Sequence, residues 1–165
     1  MTNESDLKGF PFLDSAQLAK AAVICHRNAD ADAYLSAFAL SALIRALAPE
    51  CAVDIITPGG MTTLTKKLSS KFPHRTLEGE AEGTYDLYVA VDVGDEELLS
   101  EWKEKLAGAS GVRVLVDHHP FREGGLYDRV LVDESATSAG EVVFSLFRAK
   151  EVKPDGLTAQ ALLEA

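Results

Sequence analysis

Val114, Leu115 and Val116 run straight into Asp117-His118-His119-Pro120. An unbroken apolar run of this kind reads as a strand covered on both faces. Its end delivers one carboxylate and two imidazoles to a single place. Strands buried on both faces belong to parallel sheets, and parallel neighbours need crossover connections, usually helical. The segment therefore constrains the architecture as well as marking a site, because ligands of open α/β sheets bind outside the carboxyl ends of the strands.

The same pattern recurs along the chain. Residues 21–25 are a short apolar run ending at His26, and 86–91 a strand-like run ending at Asp92. Segments 51–57, 74–77, 112–116 and 129–132 read as further strands. Between them, 31–48 (rich in Ala and Leu, closed before Pro49), 62–71, 96–107 with Trp102, and 138–150 read as helices, and 157–165 as a last one. The acidic, glycine-containing stretch 78–84 reads as a surface loop. This alternation predicts an α/β fold, a three-layer sandwich with a mainly parallel sheet, right-handed crossovers and helices on both faces. The 165 residues fit one domain, with no internal repeat or linker. The final helix stops without a glycine cap or polar tail, which reads as a boundary inside a larger unit.

Charge narrows the partners. The net charge is −10 and no Lys/Arg cluster forms a stripe, so a long duplex held by non-specific electrostatics is not expected. Cys25 and Cys51 lie in or beside apolar runs without CxxC spacing and read as reduced, buried thiols. No apolar run is long enough to span a bilayer, and the polar start at 1–8 is not a signal peptide, so a soluble cytoplasmic protein is expected. Neither a Walker loop nor a dinucleotide-binding glycine motif occurs, which leaves ATP and NAD unsupported.

Three strand ends carry metal-ligating chemistry: His26-Arg27-Asn28-Ala29-Asp30-Ala31-Asp32, then Asp92, then Asp117-His118-His119. In a parallel sheet all three lie on one edge. Mixed imidazole and carboxylate donors suit Mn²⁺, with Mg²⁺ less comfortable beside histidine and zinc disfavoured by the carboxylate-rich, thiolate-free set. Asp30 and Asp32 can reach two different ions with Asp92 between them. Two ions about 3.5–4 Å apart are the usual device for phosphoryl hydrolysis. Each cluster also has a plainer reading: His26 a core histidine, Asp30 the N-cap of the following helix, Asp92 the first residue of a loop, Asp117-His118-His119 a solvated turn. The joint occurrence favours a site. His74 reads as a surface residue, and Arg122 and Arg129 as weak phosphate contacts. Ser138 with Glu141 matches a capping box, and the hydroxyls of Thr137 and Ser138, with free N–H groups at that helix start, suit a phosphate.

Taken in order, these motifs resemble the DHH family of phosphoesterases, which includes RecJ-like exonucleases, nanoRNA/pAp phosphatases, cyclic-dinucleotide phosphodiesterases and family II inorganic pyrophosphatases. Residues 26–33 resemble the first motif, Val91-Asp92 the second, Asp117-His118-His119-Pro120 the signature, and 135–141 the segment that follows it in nanoRNA-type members. The resemblance implies that His26 and Asp30 hold one Mn²⁺, Asp32 and His118 the other, and that Asp92 bridges them. It gives His119 to the substrate phosphate and Asp117 to orienting the histidines. Ala29 stands where many members have Pro, and Leu35 where many have Gly. The family carries a further metal-binding Asp and a second, substrate-gripping domain, so residues 1–165 are expected to be a catalytic domain truncated before that motif. The implied activity is two-metal hydrolysis of short oligonucleotides or small nucleotides, with a homodimer compatible. The alternatives are an inorganic pyrophosphatase and a non-catalytic RecJ-like scaffold, the latter disfavoured because the ligand residues are present.

Overall fold

Lys20–Ile24 forms β1, inside a six-stranded sheet, with four of its five residues buried. The computed structural model describes residues 18–79, 83–121 and 125–165. The polar start at 1–8, residues 80–82 of the acidic stretch, and Arg122 lie outside the described residues. After β1 come α1 (Ala31–Leu47), β2 (Ala52–Ile56), α2 (Thr63–Ser69), β3 (Thr76–Leu77) and β4 (Leu87–Val91). A 3₁₀ turn (Glu96–Leu99), α3 (Glu101–Ala107), β5 (Val112–Asp117), β6 (Arg129–Val132), α4 (Ala139–Ala149) and α5 (Gly156–Glu164) complete the chain.

Every strand pair is parallel, in the order β3-β2-β1-β4-β5-β6. This is the α/β architecture expected from the alternation of elements. The order matters for function. From β1 the chain winds outward to β3, and from β4 it winds outward the other way to β6. The connections leaving β1 and β4 therefore diverge, and a crevice opens between their carboxyl ends. His26 follows β1 and Asp92 follows β4, so two of the three polar clusters flank that crevice.

Alternation along the strands sorts the core into two layers. Ala21, Val23, Val89, Val114 and Val116 face a layer built with Leu40 and Leu43 of α1 and Val143 and Phe147 of α4. Ala22, Ile24, Ala90 and Leu115 face Leu99, Trp102 and Leu106. Both cysteines are free and buried.

The segment 96–107, expected as one helix, is two. Asp95 accepts a hydrogen bond from Glu97 N at 2.9 Å, which favours a tight turn, and Ser100 then breaks the path at φ 53°, ψ −130°. Leu99, Trp102 and Leu106 keep helical i, i+3, i+7 spacing and are all buried. Their periodicity is satisfied by either path, so it does not reveal the break. Ser100 occupies backbone territory that glycine takes at little cost. Ser100→Gly is expected to raise stability by about 1 kcal/mol, read by urea unfolding at unchanged slope. A loss of stability would overturn this.

Candidate metal centre

The loop after β1 is pinned by its backbone. Arg27 N donates to Leu98 O at 2.7 Å, Asn28 N to Pro58 O at 3.1 Å and Ala29 N to Gly60 O at 3.0 Å. His26 Nδ1 lies 2.8 Å from Arg27 O. An Nδ1–H donated to that carbonyl leaves Nε2 as the free lone pair. Nε2 faces Asp30 Oδ1 at 3.6 Å and Asp92 Oδ2 at 3.8 Å. Asp30 also caps α1, accepting from Ala33 N at 3.1 Å, so its plain and functional readings coexist.

Asp92 leaves β4 in the left-handed region, φ 57°. Among non-glycine residues, Asp and Asn adopt that conformation most readily. Its side chain is buried between the two neighbouring strand ends. Oδ1 faces His118 Nε2 at 3.4 Å and His119 Nδ1 at 3.5 Å, while Oδ2 faces His26. Oδ1 is buried and has no hydrogen-bond partner among the described residues.

Asp117 ends β5 and organises the two histidines. Its Oδ1 accepts from His118 N at 2.7 Å, His119 N at 3.1 Å and His119 Nδ1 at 2.8 Å. One buried oxygen thus folds the Asp-His-His turn and fixes the His119 ring. Gly94, in the loop after β4, packs on that ring: a Cβ there would sit 3.0 Å from His119 Cγ.

These side chains converge as two metal-competent groups that share Asp92. One is His26, Asp30 and Asp92, and the other is Asp92, Asp117, His118 and His119. Asp32 stands beside the second group, its Oδ2 at 3.6 Å from His118 Nε2. It is already engaged, accepting from Ala139 N at 2.9 Å, Gly140 N at 3.2 Å and Ser36 Oγ at 2.9 Å.

That arrangement corrects one expectation. The first N–H groups of α4 are not free for a phosphate, because the anion at that helix start is the protein's own Asp32. Ser138 Oγ accepts from Glu141 N at 3.3 Å and Glu141 reaches back to Thr137 N at 2.7 Å, so both residues serve the cap. Arg129 opens β6 opposite Val114, three residues back from the sheet edge where Val132 meets Asp117. His74 is half-buried rather than a surface residue, with its ring edge-on to Phe38 at 6.4 Å. Ser36 and Gly94 were not singled out in the sequence. Ser36 follows Asp32 by one helical turn, a legible spacing, whereas nothing local marks Gly94.

The electrostatics are those of crowded carboxylates. Burial, then the charges of Asp32, Asp30 and Asp117, push the Asp92 carboxyl up to about 6, against a smaller opposing pull from His26. The bond to Asp30 raises His26, opposed by burial and helped by the Arg27 carbonyl. The same contact with His26 holds Asp30 below the usual carboxylate range. For His119 burial lowers the pKa, but the Asp117 bond and the charges of Asp117, Asp92 and Asp32 together outweigh it and the net direction is up. A divalent cation would satisfy the orphaned Asp92 oxygen, offset the mutual repulsion and use the free imidazole nitrogens. The residues present therefore fit a metal.

Comparison with curated proteins finds no match. Among solved structures, an exopolyphosphatase-related protein from Bacteroides fragilis is similar in fold, with TM-score 0.73 and 15% identity over 100% of this chain and 50% of that one. The chain thus spans about half the length of that relative. The model of the DHH family, N-terminal domain, matches residues 20–165, from the first residue of β1 to one residue past the end of α5. With nearly the whole described chain inside that match, the protein belongs to the DHH family.

Proposed function

We propose that this chain carries the metal-binding half of a phosphoesterase that hydrolyses short oligonucleotides or small nucleotides with two divalent cations. The observation that carries the reading is Asp92: buried, unpartnered at Oδ1, and presenting its two oxygens to imidazoles from two different strand ends. His26, Asp30 and Asp92 would hold one cation, and Asp92, His118 and Asp32 the other, with Mn²⁺ preferred and Mg²⁺ a weaker substitute. Bound there, the pair would supply Lewis-acid clamping of phosphate oxygens and activation of water.

The chain's own contribution is orientation and proton handling. Asp117 fixes His119 through Nδ1 and leaves Nε2 for the substrate. The carboxylates around His119 favour its charged form, suited to protonating a leaving oxygen. The His119 side chain is 45% exposed, against 5% for Asp92, which suits the reagent that meets substrate rather than the one that bridges cations.

Mn²⁺ is expected to stabilise the fold by about 2.7 kcal/mol at a hundredfold excess over its dissociation constant, read by thermal or urea unfolding. Binding must also displace protons from Asp92 and His26. Calorimetry in buffers of different ionisation enthalpy should then show about one proton or more released at pH 6 and fewer at pH 8. The absence of any stabilisation by Mn²⁺ would sink the metal site. Cleavage of a dinucleotide and pAp in preference to pyrophosphate separates this reading from a pyrophosphatase.

A further inference from the structure

β6 is the last strand of the sheet, and no strand pairs with its outer edge among the described residues. Asp128 N donates inward to Arg113 O at 2.8 Å, so by the alternation of a parallel ladder the N–H and C=O groups of Arg129 and Leu131 point away from β5. An edge of this kind is a template for another strand. We propose that it pairs antiparallel with the same strand of a second copy of this chain, with Leu131 on the two-fold axis, joining two six-stranded sheets into one. The proposal does not depend on the metal reading of the centre.

Three observations choose that partner. The first is register. An antiparallel pair centred on Leu131 sets Arg129 opposite Asp133 and Val130 opposite Val132, each of them twice, because a two-fold contact repeats every pair. Arg129 and Leu131 stand on the α4 face of the sheet, with Asp133 next in that alternation, while Val130 and Val132 stand on the α3 face. Opposite residues of an antiparallel pair share a face, so the arginine meets a carboxylate and valine meets valine.

The second is a receptor for the arginine. A groove of about 280 Å³ lies at the carboxyl end of β6, lined by Asp133, Ser135, Glu141, Val142 and Phe144 among others. Its two carboxylates and its aromatic ring suit a guanidinium. Arg129, at the other end of the same strand, is exposed. Its Nη1 donates to Asp128 O at 2.7 Å, a local bond that uses one of its five donors. The strand thus carries a plug at one end and a socket at the other, which favours a closed pair of copies.

The third is apolar surface on both sides of that edge. Val130 is 40% exposed on β6 and Phe144 is 45% exposed on α4. A short strand by itself buries too little for a stable dimer, whose interface typically covers about 1,600 Å² in total. The groove and these two side chains extend the contact onto both faces of the sheet. A foreign strand would meet the backbone groups alone, whereas a second copy also matches the charges and the valines.

The test is sedimentation velocity across a dilution series, with circular dichroism to show that each variant is folded. The wild type is expected to sediment at twice the mass of one chain and to dissociate on dilution. Arg129→Glu should weaken the dimer about tenfold or more, because like charges then face each other across the axis. Asp133→Arg should do the same. Mixed in equal amounts, the two variants should pair with each other about as tightly as the wild type pairs with itself, since each supplies the charge the other lacks. Val130→Lys, which leaves both charges in place, should also weaken the dimer. Should Asp133→Arg not fold, Arg129→Glu and Val130→Lys decide alone. A wild type that is monomeric throughout the series, a dimer that any of these substitutions leaves intact, or folded charge variants that stay apart when mixed overturns the interface.

Discussion

Asp92→Asn is expected to make the metal-free protein more stable at pH 7, by about 3 kcal/mol, while abolishing its response to Mn²⁺. The folded-state carboxyl sits at about 6, above its unfolded value. Between those two values the folded chain is protonated where the unfolded chain is ionised. Folding therefore loses stability as pH rises through that window, and the full penalty is present above about 6. Asparagine keeps the shape, accepts the left-handed backbone at φ 57° and removes the charge. Urea unfolding in chelator from pH 4 to 8 checks this. The variant's advantage should vanish near pH 4 and grow toward neutrality. A constant difference, or a variant less stable throughout, would show that charge crowding is not what burdens Asp92. On this expectation the metal-free wild type is less stable for carrying an ionised Asp92, the cost that a bridging cation, as proposed above, would offset.

Asp32→Ala should cost about 1.5–3 kcal/mol, the scale for losing hydrogen bonds to a charged group. The variant strips acceptors from Ala139 N, Gly140 N and Ser36 Oγ, and removes the negative charge at the start of α4. Part of the loss is masked, because Asp32 is the largest charge acting on Asp92 after burial itself. Removing it eases the ionisation of Asp92. The two substitutions should then be non-additive: Asp32→Ala should cost more in an Asp92→Asn background than in the wild type. Chemical unfolding of the four proteins in chelator measures the coupling. Additivity within about 0.3 kcal/mol would break the proposed electrostatic link.

Much of this was legible before any coordinates. Apolar runs that stop abruptly at Asp or His locate strand ends, and alternation with helices makes the sheet parallel, which places those ends on one edge. The order in which strands lie was not legible, and it is what puts His26 and Asp92 across one crevice. Local pattern also misjudged the start of α4. Ser138 and Glu141 announce a cap, but nothing nearby announces that Asp32 occupies the first amides of the helix. The break at Ser100 escaped for a related reason: a buried stripe at helical spacing survives a change of path. Gly94 escaped because its role is defined only by the His119 ring above it.

The tie between Asp32 and the first amides of α4 spans 107 and 108 residues of chain. His26, Asp30 and Asp32 leave the ribosome long before the helix that anchors the last of them. The orientation of Asp32 therefore depends on α4 being docked on α1, a contact of high sequence separation. A nascent or partly unfolded chain carries His26, Asp30 and Asp32 without the bonds that orient Asp32. On the metal reading proposed above, cation binding that needs Asp32 would report that the chain has folded through to α4.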